Sequence, residues 1–289
     1  MERMPVGALL GLIAALGYGA SDFVAGVAGR KTPVMLVTAV TLAVEFVFAA
    51  VVLVFVHGTG PTPSVLLWGA LSGIGSAFGT LALYQGFAVG AMSVVATVSG
   101  VLTVVIPAIV GVAIGNRLPV IGVLGVVAAV AAVALVSYTG KGAEVDGAQA
   151  GERRGGAVYG VAAGASFALL FIALERAGTS SGAWPVTTGQ LVSCVVVVPF
   201  AVIGFRVHGR LTGSELRLPA VAGVLAAIAA FSYLAATGFG ELVVIAVLTS
   251  MYPAVTVLLA RFVLHERWNW PQRIGLMLSA ASVVVIALA

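Results

Sequence analysis

Two carboxylates, Asp22 and Glu45, stand inside long apolar runs of this chain. A charge within a membrane-crossing helix is costly, so such residues face a cavity or a partner. Glu45 falls about twelve residues into the run 34–56, which at about 1.5 Å rise per residue is near mid-membrane. Thr38, Thr41 and Glu45 recur at i, i+3 and i+7, one face of a helix. Two roles fit Glu45: a carboxylate that takes a proton or faces a cation in a central cavity, or a hydrogen-bonded structural glutamate between helices. Asp22 closes a second stripe with Gly7, Gly11 and Tyr18. It reads as a site or gate residue, or as the partner of Arg261, which lies at similar depth. Tyr18 either lines a pocket or fills the core.

The neutral candidates fall on stripes of their own. The third run offers Ser72, Ser76, Thr80 and Tyr84, with Gln85 adjacent. The fourth offers Ser93, Thr97, Gly100, Thr103 and Pro107, and the ninth Thr249, Tyr252, Pro253 and Thr256. Phe167, Gln190 with Ser193, and Tyr233 complete the candidate set. Serine and threonine in spans often bond their own helix backbone, which is the alternative for each hydroxyl. Pro107 and Pro253 each free a carbonyl inside a helix and read as kinks or hinges.

Enzyme chemistry finds no foothold. His57, His208 and His265 sit at the ends of apolar runs, and there is no phosphate-binding P-loop and no HExxH zinc pattern. The single cysteine, Cys194, lies in an apolar run and excludes an intramolecular disulfide. The expectation is no catalytic residue, no metal and no cofactor.

The positioning elements follow from composition. The chain is 61% apolar and 8% charged, against roughly 45–50% and 25% in soluble domains. Ten long apolar runs, 5–27, 34–56, 64–89, 92–115, 118–138, 156–177, 184–205, 218–239, 242–264 and 270–289, predict ten membrane-spanning helices. Lipid permits only helices or closed barrels, and continuous rather than alternating runs select helices. The expected class is an all-α integral membrane protein. The longest polar stretch, 139–155, divides it into residues 1–138 and 156–289.

The two parts resemble each other at a constant offset. A shift of 149 lays Gly7, Gly11 and Tyr18 over Gly156, Gly160 and Phe167. A shift of 150 lays Arg117 over Arg267 and Gly125 over Gly275. Pairs 1/6, 3/8, 4/9 and 5/10 follow. Five spans per copy invert the second copy, a transporter plan with its site near the midplane between the halves. The counterparts of Asp22 and Glu45 in the second half read as apolar, so a shared cavity is lopsided in charge. That suits a proton or an amino group better than an anion.

Calling the side of the termini A and the other B, the loops on B carry Arg30, Lys31, Lys141, Arg153, Arg154, Arg206, Arg210, Arg217, Arg267 and Arg273. Side A carries Arg3, Arg117 and Arg176. The positive-inside rule makes B cytoplasmic, with both termini outside. The net charge of +4 reads as topology rather than nucleic-acid binding. Four-residue glycine spacings, among them Gly69/Gly73, Gly75/Gly79 and Gly156/Gly160/Gly164, predict close helix packing.

The segment LTSMYPAVTVLLARFVLHERW, 248–268, carries a proline followed by a His-Glu-Arg turn before the last run. Together with LGYGASDFVAGVAGRK, 16–31, and Gly275, it resembles the EamA-type members of the drug/metabolite transporter superfamily. The chain departs from that pattern at Asn116-Arg117, where the family commonly has Glu-Arg. Thr103 also stands where Pro253 predicts a proline, with Pro107 four residues later. The resemblance implies a carrier of small metabolites, often an exporter of amino acids or related compounds. The expected function is alternating-access transport of an amine-containing metabolite, outward and proton-coupled, across the cytoplasmic membrane, by a monomer or homodimer in contact with lipid. An uncoupled facilitator and a lipid-carrier flippase or complex subunit are the alternatives. The expected cavity is lined by the first, third, fourth, sixth, eighth and ninth helices.

Overall fold

The computed structural model describes residues 3–287 apart from 57, 114–118, 138–146, 179, 210, 238–248 and 250. The described residues form helices and turns, with no strand among them. In chain order the helices are α1 (Arg3–Gly29), α2 (Val34–Phe55), α3 (Pro63–Val89), α4 (Met92–Ala113), α5 (Val120–Ser137), α6 (Gly147–Ala177), α7 (Trp184–His208), α8 (Gly213–Thr237), α9 (Tyr252–Val263) and α10 (Trp270–Ala287). Seven of them, α1–α4 and α6–α8, contain a stretch long and apolar enough to cross a membrane. The chain is an all-helical, multi-pass membrane protein.

Two boundaries differ from expectation. Helix α6 begins at Gly147, inside the stretch read as a linker, because Ala148 to Arg154 contains good helix formers and no proline. Helix α9 is described only from Tyr252; 242–248, Asn116 and Arg117 lie outside the described residues. Pro253 occupies the first turn of α9 as described, a place where its missing N–H costs nothing. Pro107 does lie within α4.

Helix ends are fixed by side chains. Thr62 accepts from the Val65 N–H at 3.3 Å and Pro63 starts α3. At α10 the Asn269 and Gln272 side chains bond each other's backbone N–H at 2.9 and 3.1 Å, a reciprocal capping box. Asn269→Ala is expected to cost about 1 kcal/mol, read as a lowered thermal midpoint in detergent.

The packing repeats at fixed offsets. Gly17 of α1 lies against Leu225 and Ala229 of α8, and Gly75 of α3 lies against Ser166 and Leu170 of α6. Gly17 to Ser166 is the offset of 149 and Gly75 to Leu225 the offset of 150. Likewise Gly73 of α3 meets Gly189 and Val192 of α7, while Gly223 of α8 meets Thr41 and Val44 of α2. That contact adds the pairing α2/α7, at an offset of 148, which the sequence reading leaves out. On this offset the counterpart of Glu45 is Ser193 rather than an apolar residue. Glycine at each crossing lets the backbones approach as closely as lipid-embedded helices require.

The two ends of the bundle are tied differently. At one end the α2–α3 turn meets the α6–α7 turn: the Thr59 N–H donates to Ser180 O at 3.0 Å and the Ala183 N–H to Val56 O at 2.9 Å. At the other, α1 packs on α3 where Gly26 faces Phe87 and Met92. The exchanged pair, α6 and α8, is barely in touch among the described residues. The main apolar cluster, including Phe23, Phe87, Met92, Leu264 and Trp268, fills the α1–α3 end.

Candidate functional site

Helices α1 and α2 carry the two acids, and the fold turns both inward. The Thr38–Thr41–Glu45 stripe faces α7 and α8 because Thr41 donates to Pro219 O at 3.2 Å and Gly223 admits Val44. One turn further on, the Gln190 Nε2 of α7 donates to Glu45 Oε2 at 2.9 Å. Helix α1 is fixed on α8 by Ser21, whose hydroxyl donates to Ala222 O at 2.7 Å. That contact leaves the neighbouring Asp22 on the adjoining face. Among the described residues none donates a hydrogen bond to Asp22, which lies within electrostatic reach of Glu45. Both acids lie deep in the bundle and are half-buried.

Aromatic residues close around them. Tyr18 and Tyr252 pack edge to face with ring centroids 6.2 Å apart, joining α1 to α9. Tyr84 of α3 is 2% exposed, with its hydroxyl in hydrogen-bonding reach of Ser21 and Thr41. Tyr252 reaches Thr103, and half-buried Tyr233 is near Tyr18. The structure thus gathers Tyr18, Asp22, Glu45, Tyr84, Gln190, Tyr233 and Tyr252 in one region. Helices α2 and α7 contribute to it, beyond the six helices expected.

The other candidates are placed as follows. Thr80 is buried one turn before Tyr84, on the same face of α3. Gln85 is half-buried on the next face. Phe167 packs over Gly79, in the α3–α6 crossing. Thr97 donates to Ser93 O at 2.7 Å and Thr103 to Ser99 O at 2.8 Å, so each satisfies its own helix backbone. The Thr249 hydroxyl is buried without a partner among the described residues, as is that of Thr38. Pro253 fits against Gly100 of α4.

Arg261 does not pair with Asp22. Its Nη1 donates to Glu266 O at 2.6 Å and its guanidinium lies 5.5 Å from the centre of the Trp268 ring. A carbonyl five residues ahead in the chain is a nearer partner than an acid on another helix. The Glu266 carboxylate accepts from Met92 N at 2.8 Å, Ser93 N at 3.2 Å and Ser93 Oγ at 2.6 Å. Its sequence position in a His-Glu-Arg turn gave no sign that it caps a helix of the other half.

Residues 154–288 match the EamA-like transporter family. That match covers a little under half of the chain. No curated protein matches the chain. One solved structure, described as "Crystal structure of protein", shares 18% identity with it over 98% of this chain and 97% of that chain, at a TM-score of 0.60. That likeness concerns the fold along nearly the whole length. The matched residues take in most of α6 and all of α7–α10, so Gln190, Tyr233, Tyr252 and Glu266 lie within them. Asp22 and Glu45 come from outside the matched residues.

Proposed function

We propose that this EamA-like chain is a secondary transporter of the cytoplasmic membrane. It moves a small amine-containing metabolite, an amino acid or a related compound, outward by alternating access. One arrangement carries the reading: two carboxylates from separate helices lie within electrostatic reach of each other among tyrosines, and one of them accepts a hydrogen bond from Gln190 of the opposite half. Among the described residues no lysine or arginine pairs with either acid, and Arg261, in the last turn of α9, is engaged with Glu266 and Trp268. The surroundings of the two acids therefore favour positive charge. The recurrence of the Gly17, Gly75, Gly73 and Gly223 contacts supports an inverted pair of five-helix repeats as the moving bodies. The packed α1–α3 end, against the parted α6 and α8, supports a state open toward side A.

Asp22 is the acid left for the substrate amine, and Glu45, already paired with Gln190, serves the proton. Purified protein in proteoliposomes, loaded with a panel of amino acids and amines, should export some of them down an imposed proton gradient. Asp22→Asn is expected to weaken apparent affinity for the transported amine by about tenfold or more, as loss of a charged hydrogen bond predicts. An Asp22→Asn protein with unchanged affinity for every transported compound would remove Asp22 from the site.

A further inference from the structure

We propose that Glu266 is the latch that holds side B of the transporter shut. The Met92–Ser93 start of α4 belongs to the first half, and the α9–α10 turn bearing Glu266 belongs to the second. Glu266 spans them with both carboxylate oxygens, taking two backbone N–H groups and one hydroxyl. The first N–H groups of a helix lack partners within it and carry its positive end. A carboxylate brought from elsewhere fills that need with charge-assisted bonds.

The turn is shaped to deliver it. His265 takes φ 56°, a left-handed conformation that non-glycine residues rarely adopt. Arg261 holds the Glu266 carbonyl at 2.6 Å while stacking on Trp268, so the turn is anchored on both sides of the acid. Beside the latch, the Arg30 Nε donates to Phe87 O at 3.4 Å, and a side chain at Gly26 would collide with Met92 and Phe87. The contact joins the two halves at the end where α1 and α3 are packed. Opening side B means drawing α4 away from the α9–α10 turn, and the Glu266 bonds are what resists it.

This inference rests on the transport reading, but its test needs no substrate. In a Cys194→Ala background, Ala96→Cys places a reporter thiol on α4, one turn inside the latch, where Ala96 is 4% exposed. Membrane vesicles of each sidedness are treated with an impermeant maleimide. Glu266→Gln keeps the size of the side chain and loses its charge and one acceptor. It is expected to raise the labelling rate from side B at least tenfold, with the rate from side A and the thermal midpoint nearly unchanged. Ser93→Ala, which removes one of the three bonds, should raise the B-side rate about threefold. Equal rates from side B in parent and variants, or rates rising together from both sides, would overturn the latch. If Glu266→Gln does not fold, Ser93→Ala decides on the same two outcomes. Absence of flux for every amine, with the B-side response intact, would sink the transport reading and leave the latch standing.

Discussion

Glu45→Gln should abolish accumulation driven by a pH gradient while leaving the protein folded. Glu45 Oε2 accepts from Gln190 Nε2 at 2.9 Å, and a glutamine at position 45 still offers an amide oxygen to the same donor. Helix α2 keeps its contacts with α8 through Thr41 and Val44 and with α7 through the Leu42 and Ala49 carbonyls. What disappears is the negative charge and the capacity to take up and release a proton. With no group at position 45 able to take up the proton, accumulation driven by the gradient should fall to the level seen without a gradient. Counterflow of labelled for unlabelled amine, which needs no gradient, should fall much less, since Asp22 remains to hold the amine. Loss of both to the same degree would place Glu45 in substrate binding instead. Unchanged pH-driven accumulation would end its coupling role and favour an uncoupled facilitator.

The acids themselves are legible in the sequence, because a charge in an apolar run is conspicuous and the Thr38–Thr41–Glu45 spacing gives it a face. Their partners are not. Gln190 is 145 residues from Glu45, and nothing local to either position points to the other. The offset of 149–150 locates α1 against α6 and α3 against α8, yet it passes over α2 and α7, whose register differs by one residue and whose only shared marks are small side chains. Arg261 and Asp22 share a depth, which suggests a pair; depth alone is silent on rotation about the helix axis, and the nearer Glu266 carbonyl takes the arginine. The ten helices survive these errors, seven of them long and apolar enough to cross a membrane, because they depend on summed apolar length rather than on any single contact. The α6 boundary does not, since Ala148 to Arg154 reads as polar loop by composition and as helix by backbone preference.

Gly73→Val should be the most damaging single substitution in the bundle. A Cβ at Gly73 would run into the Gly189 carbonyl oxygen and lie 2.9 Å from Val192 Cβ. The obstacle is backbone within α7, so no rotamer change relieves it, and α3 and α7 must part. Parting them also breaks the Ser193 hydroxyl's bond to Gly73 O, 2.9 Å long, and displaces Gln190, the residue after Gly189, from Glu45. Overpacking of a well-filled core costs about 1–3 kcal/mol, and the lost hydrogen bond adds about 1 kcal/mol. Gly73→Val should therefore lower the thermal midpoint in detergent sharply and reduce the monodisperse fraction on size exclusion. Gly213→Ala is the matched control: nothing lies within 4 Å of its Cβ position, and its effect should stay within about 0.5 kcal/mol. A Gly73→Val protein as stable as Gly213→Ala would mean that α3 and α7 do not cross at these two glycines. The link from the packed crossing to the Glu45–Gln190 pair would then be lost with it.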